Sequence, residues 1–142
     1  MPTAADYVMD DALRQLVWDR AAGTCEYCRL PQRLDILPFQ IDHVISIKHH
    51  GPTSADNLAL SCYNDNAYKG PNIAGIDLVT GELTRLFNPR QDDWNEHFSW
   101  LGPELVGRTA VGRTTIDVLN INLPERVEHR RLLIRAGVLR LE

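Results

Sequence analysis

Residues 25–70 read CEYCRLPQRLDILPFQIDHVISIKHHGPTSADNLALSCYNDNAYKG, and this stretch concentrates the chemically capable side chains of the chain. An apolar run over residues 36–41, interrupted by Pro38, ends on Asp42-His43. That pattern predicts a strand delivering a carboxylate and an imidazole at its end. A loop with His49, His50, Gly51 and Pro52 follows, then Asn57, then residues 64–70, whose composition predicts a loop running into a helix. A carboxylate, a histidine and two asparagines can thus converge across a hairpin and a helix. A cation assisting phosphodiester cleavage needs hard oxygen ligands and open positions for phosphate and water, which Asp42 and Asn66 suit. A water nucleophile needs a base titrating near neutrality, and an imidazole does so at about 6.5, which suits His43. The base must also be held in one tautomer, and Asn57 is placed to help.

These residues resemble the HNH endonucleases of the ββα-metal (His-Me finger) fold, in an HNN-like variant. The resemblance is carried by Cys25-Glu26-Tyr27-Cys28, by Ile41-Asp42-His43-Val44, by Asn57-Leu58, and by the run from Cys62 through Asn64, Asp65 and Asn66 to Lys69-Gly70. It implies an α+β fold in which Asp42 and Asn66 hold a catalytic Mg²⁺ or Mn²⁺, His43 is the general base and Asn57 orients it. It also implies a phosphodiester hydrolase acting on nucleic acid, DNA ahead of RNA. A non-catalytic zinc-knuckle binding module and an RNA-directed nuclease or toxin are the alternatives. Asp65 departs from the family, standing where a fourth cysteine is usual. Either Cys25, Cys28, Cys62 and Asp65 hold a structural Zn²⁺, or the knuckle has become three small buried thiols.

The chain has 142 residues, 44% hydrophobic and 24% charged, which predicts one ordinary globular domain over 1–142, with a motif core at 25–70 and an extension at 71–142. No apolar run approaches the roughly 20 residues of a membrane span. The first twenty residues carry four Asp and no basic segment, unlike a signal peptide, and three cysteines suit a reducing compartment, so the expected location is the cytoplasm. The net charge of −4 weighs against a polyanion partner, but it is unevenly spread. Residues 108–142 hold seven Arg against four acids, whereas residues 1–107 hold eight basic and fifteen acidic residues. A phosphate-binding face is therefore expected to use Arg108 and Arg113, with Lys69 either joining them or simply solvated. Oligomeric state is not legible.

Outside the motif, residues 4–22 place Tyr7, Leu13, Val17 and Trp18 at helical spacing, with Gly23 as a stop signal. Residues 76–87 predict a hairpin turning at Thr80-Gly81. Residues 94–100 hold Trp94, Phe98 and Trp100, read as a satellite core or a stacking surface for bases, with His97 among them. Residues 107–115 predict a strand or turn, 114–119 a short helix, and the tail from Leu123 a terminal amphipathic helix. That last helix is expected to bury Val127, Leu132, Leu133 and Ala136 and to present Arg126, Arg130, Arg131 and Arg135 outward. The phrases LFNPR and W-x-x-HF-x-W in this extension resemble small stand-alone bacterial and cyanobacterial HNH proteins.

Overall fold

A computed structural model describes residues 8–142, so Tyr7 and the start of the expected first helix lie outside the described residues. The fold is α+β, with five α-helices and three antiparallel strand pairs among the described residues. These gather into two compact units, one of residues up to 73 together with 88–91, the other of residues 74–87 and 92–142.

In the first unit, helix α1 (Asp11–Ala21) begins where the Asp10 carboxylate accepts from the Leu13 amide at 2.8 Å. It ends where Ala22 and Gly23 turn left-handed, at φ 52° and 65°. Its buried face carries Val17, and Trp18 stacks on Phe39 at 6.3 Å between ring centroids. Arg20 in the last turn donates to the Ala55 and Leu58 carbonyls at 2.7 Å each, tying the helix to the start of β2. Strand β1 (Gln40–His43) pairs antiparallel with β2 (Leu58–Ser61), Asp42 opposite Ala59 and His43 opposite Leu58. β2 is buried along its whole length, which a fully apolar-or-small sequence, Leu-Ala-Leu-Ser, permits. The chain then enters α2 (Tyr63–Lys69), whose N-cap is Cys62: its sulfur accepts from the Asp65 amide at 3.3 Å. Strand, strand and helix follow one another as ββα.

In the second unit, β3 (Ala74–Ile76) pairs with β4 (Leu83–Arg85). The connection is organised by Asp77, which accepts from the Val79 amide and the Thr80 hydroxyl, with Gly81 at φ 74° as the hairpin reading required. Helix α3 (Trp94–His97) leads into β5 (Phe98–Leu101), which pairs with β6 (Glu104–Gly107). Trp94, Phe87 and Phe98 are buried and their rings meet at 5.1–5.2 Å, so the aromatic cluster is core.

Two expectations for the extension are corrected here. Residues 107–115 are not one strand or turn, because the Thr109 hydroxyl caps a helix, α4 (Ala110–Val118), that starts four residues earlier than expected. Gly112 permits it: a β-carbon there would lie 2.1 Å from the His97 carbonyl oxygen. The terminal helix α5 (Pro124–Arg135) forms, but Leu132 is exposed and Leu133 only half-buried, and the inward face is Arg126, Val127 and Arg130. Arg126 donates to the Leu119 and Asn120 carbonyls and Arg130 to the Pro103 carbonyl and the Asn122 side chain, with its guanidinium 5.5 Å over Trp100. Backbone carbonyls satisfy the charges, and the aliphatic stems supply the apolar contact.

Candidate functional site

Successive side chains of a strand leave on opposite faces, so Asp42 and His43 part company at the end of β1. Asp42 goes inward and keeps 5% of its surface exposed. The Tyr27 hydroxyl donates to its Oδ2 at 2.7 Å, and the Lys69 ammonium lies 3.2 Å from Oδ1 and 3.1 Å from Oδ2. The same ammonium donates to the His43 carbonyl at 3.1 Å. Burial pushes the Asp42 carboxyl up from the ordinary value, while Lys69 and the Tyr27 hydroxyl hold it down. Tyr27, fully buried, is pushed well up by burial and by the adjacent carboxylate, so it remains a donor.

Lys69, expected either at a phosphate or in solvent, is thus inside the fold. Its side chain is 1% exposed and its charge is spent on Asp42, the reverse of the surface role read from sequence. Asn66 is half-buried on α2, one helical turn before Lys69.

The His43 ring is half-buried, with Nε2 2.8 Å from the Thr53 hydroxyl. Burial lowers its pKa, Asp42 opposes that, and Lys69 adds to it. Burial thus favours the neutral imidazole, the form a general base needs. The partner at the His43 ring is thus Thr53, while the Asn57 side chain bonds to the backbone of the following loop. Asn57 accepts from the Ile45 amide at 2.9 Å and donates to the carbonyls of Ile45 and Pro52 at 3.0 and 2.9 Å. It staples both ends of the 45–52 loop and so fixes the residue just before Thr53, one step removed from the imidazole. Thr53 lies ten residues from His43 in a loop, and only a hydroxyl beside Gly51-Pro52 hinted at it. Within that loop Lys48, His49 and His50 are exposed.

Cys25, Cys28, Cys62 and Asp65 are all buried, with one potential ligand atom from each lying within 4.8 Å of the others. The Cys28 and Cys62 sulfurs are 3.8 Å apart, and Cys25 sulfur is 3.2 Å from Asp65 Oδ2. Tetrahedral zinc with Zn–S bonds of about 2.3 Å places sulfurs about 3.8 Å apart, and sulfur from a carboxylate oxygen about 3.5 Å. The donor set fits such a cation in number, type and spacing. None of the three cysteines is in a disulfide. Burial and the neighbouring sulfurs push the Cys25 thiol well up; Cys62 also lies high, a hydrogen bond from Cys25 being outweighed by Cys28 and burial. Such thiols ionise readily only against a positive charge, which a bound cation supplies.

In the second unit Arg113 holds Asp77 through two bonds of 3.0 and 2.8 Å, a structural ion pair that the reading from sequence did not include. Arg108 keeps an exposed guanidinium that donates to the Asn95 carbonyl at 3.0 Å. His97 is buried with Nδ1 2.6 Å from the Thr109 hydroxyl, a structural bond. No helix among the described residues is long and apolar enough to cross a membrane.

No curated protein and no solved structure matches the chain. The stretch that builds both clusters, residues 25–72 with its ββα order, matches the model of the HNH endonuclease family.

Proposed function

We propose that the protein is a metal-dependent endonuclease hydrolysing phosphodiester bonds of DNA. The observation that carries this reading is the placement of His43, its Nε2 2.8 Å from the Thr53 hydroxyl, at the end of a strand whose preceding residue is a buried carboxylate, within the segment matching the nuclease family. In the tautomer that donates Nε2–H to Thr53, Nδ1 keeps the lone pair that removes a proton from the attacking water. The hydroxide so formed bonds to phosphorus, the bond from phosphorus to the leaving oxygen breaks, and that oxygen takes a proton from solvent. Asp42 and Asn66 would hold the divalent cation, Mg²⁺ or Mn²⁺. Asp42 can do so with its present partners, since an ionised carboxylate offers about four lone-pair sites. When bound, that cation neutralises the scissile phosphate and its developing charge. Cys25, Cys28, Cys62 and Asp65 would hold a structural Zn²⁺, which the fit of the sulfur spacing supports. Arg108 would contact the phosphate backbone. The whole chain would serve this one activity, in the cytoplasm, where cysteines outside disulfides persist.

Incubating purified protein with plasmid and with a structured RNA, each under Mg²⁺, Mn²⁺ or EDTA, tests the reading. Plasmid cleavage abolished by EDTA and lowered about 10²–10⁴-fold in His43→Ala is expected. Cleavage of RNA alone would favour the RNA-directed nuclease. Binding of either without cleavage under any metal would point to the zinc-knuckle module.

A further inference from the structure

The two clusters share their supports. The Cys25–Cys28 knuckle gives two sulfurs to one cluster, and Tyr27, between them, gives its hydroxyl to Asp42 of the other at 2.7 Å. Helix α2 repeats the arrangement: Asp65 faces the cysteines, and Lys69, one turn later, binds Asp42. The Asp42 carboxylate is thus gripped by two donors, each within four residues of a member of the cysteine–aspartate cluster. Both donors are buried to within 1% of complete exclusion from solvent, packed on all sides by the fold that also holds the cluster.

We infer that the cysteine–aspartate centre positions the catalytic carboxylate: Tyr27, with Lys69 as its counterpart on α2, sets the geometry in which Asp42 receives its divalent cation. The inference rests on the nuclease reading above and goes beyond it by making Tyr27 a positioning residue. Free sulfurs and a carboxylate in loose contact can shift against one another, whereas bonds of all four to one ion fix knuckle and helix as a single frame. Loading of the first centre therefore governs the affinity of the second, through side chains that touch neither substrate nor catalytic cation.

The test is Mn²⁺ binding to the full-length, zinc-loaded protein, followed by electron paramagnetic resonance, for wild type, Asp42→Asn, Tyr27→Phe and Asp65→Asn, with zinc content and melting temperature measured alongside. Tyr27→Phe keeps the buried ring and deletes the one donor. It is expected to retain full zinc and to bind Mn²⁺ about 10–100-fold more weakly, with kcat recovering at saturating Mn²⁺. Asp65→Asn is expected to lose zinc and Mn²⁺ affinity together. Mn²⁺ binding within twofold of wild type in Tyr27→Phe, or unchanged Mn²⁺ affinity in Asp65→Asn protein that has lost its zinc, would overturn the inference while leaving the nuclease reading intact. Wild-type Mn²⁺ affinity in Asp42→Asn would overturn both.

Discussion

Gly51 is buried in the loop between His43 and Thr53, and replacing it with alanine should unfasten that loop. A β-carbon at this position would stand 1.7 Å from the Ile45 carbonyl oxygen, 2.5 Å from its carbon and 2.8 Å from Asn57 Nδ2. Two of these three atoms are backbone, so the clash cannot be relieved by swinging a side chain. The loop must open by about 1.7 Å to restore ordinary contact at 3.4 Å, and the Asn57 bonds to Ile45 and Pro52, all 2.9–3.0 Å, cannot stretch that far. Losing three hydrogen bonds worth about 0.5–1.5 kcal/mol each gives a destabilisation of about 3 kcal/mol. For a chain of this size that corresponds to a melting temperature lower by roughly 10 °C. Cleavage should fall as well, because Thr53, two residues on, loses its place against the imidazole. Thermal melts of wild type, Gly51→Ala, Asn57→Ala and the double variant measure this, and the double should cost little more than either single change, since both dismantle one staple. A Gly51→Ala protein melting within about 2 °C of wild type, or a double variant showing the full sum of the single effects, would refute the reasoning.

Thr53→Val should keep the loop's packing and lower cleavage by about tenfold or more at unchanged metal affinity, as the imidazole loses its partner; single-turnover rates against metal concentration check it. In the second unit, the Arg113 guanidinium holds the Asp77 carboxyl well below the usual range. A depressed carboxyl stabilises the fold above its unfolded value of about 3.9 and loses that contribution as pH falls through the folded value. Asp77→Asn should therefore melt lower than wild type at pH 6 and converge with it in strong acid, as followed by circular dichroism. Arg108→Ala should flatten the log–log salt dependence of duplex binding by roughly 0.9, whereas Arg113→Ala should lower stability and leave the slope alone; fluorescence anisotropy across a salt series separates them.

The local grammar of the chain was legible: Asp42-His43 closing a strand, a helix within residues 64–70, Thr80-Gly81 turning a hairpin. Those features depend on neighbours within a few residues. The partners of the candidate site were not legible, because they come from side chains remote in sequence. Tyr27 reaches Asp42 across fifteen residues and Lys69 across twenty-seven, and no periodicity marks either. A lysine on a short helix reads as solvated by default, and only burial against a carboxylate reverses that. The same holds for Arg126 and Arg130, counted as surface charge although backbone carbonyls of Leu119, Asn120 and Pro103 take their hydrogens. The start of α4 was missed for a different reason. A strand or turn was read over 107–115 from its alternating basic and small residues, whereas the lack of a side chain at Gly112 is what lets the helix approach the His97 carbonyl.

The unit that holds both clusters is not one uninterrupted length of polypeptide, since residues 88–91 belong to it while 74–87 and 92–142 do not. Through those four residues Arg90 pairs with Glu26, whose other carboxylate oxygen accepts from the Leu60 amide in β2. During synthesis the motif must therefore wait for a latecomer: the β3–β4 hairpin leaves the ribosome before the counter-charge for Glu26 does. A gene fragment cut after residue 73 would encode every candidate ligand and still lack a buttress. Recombination that transplanted the contiguous motif into another chain would need to bring, or replace, that returning tetrapeptide.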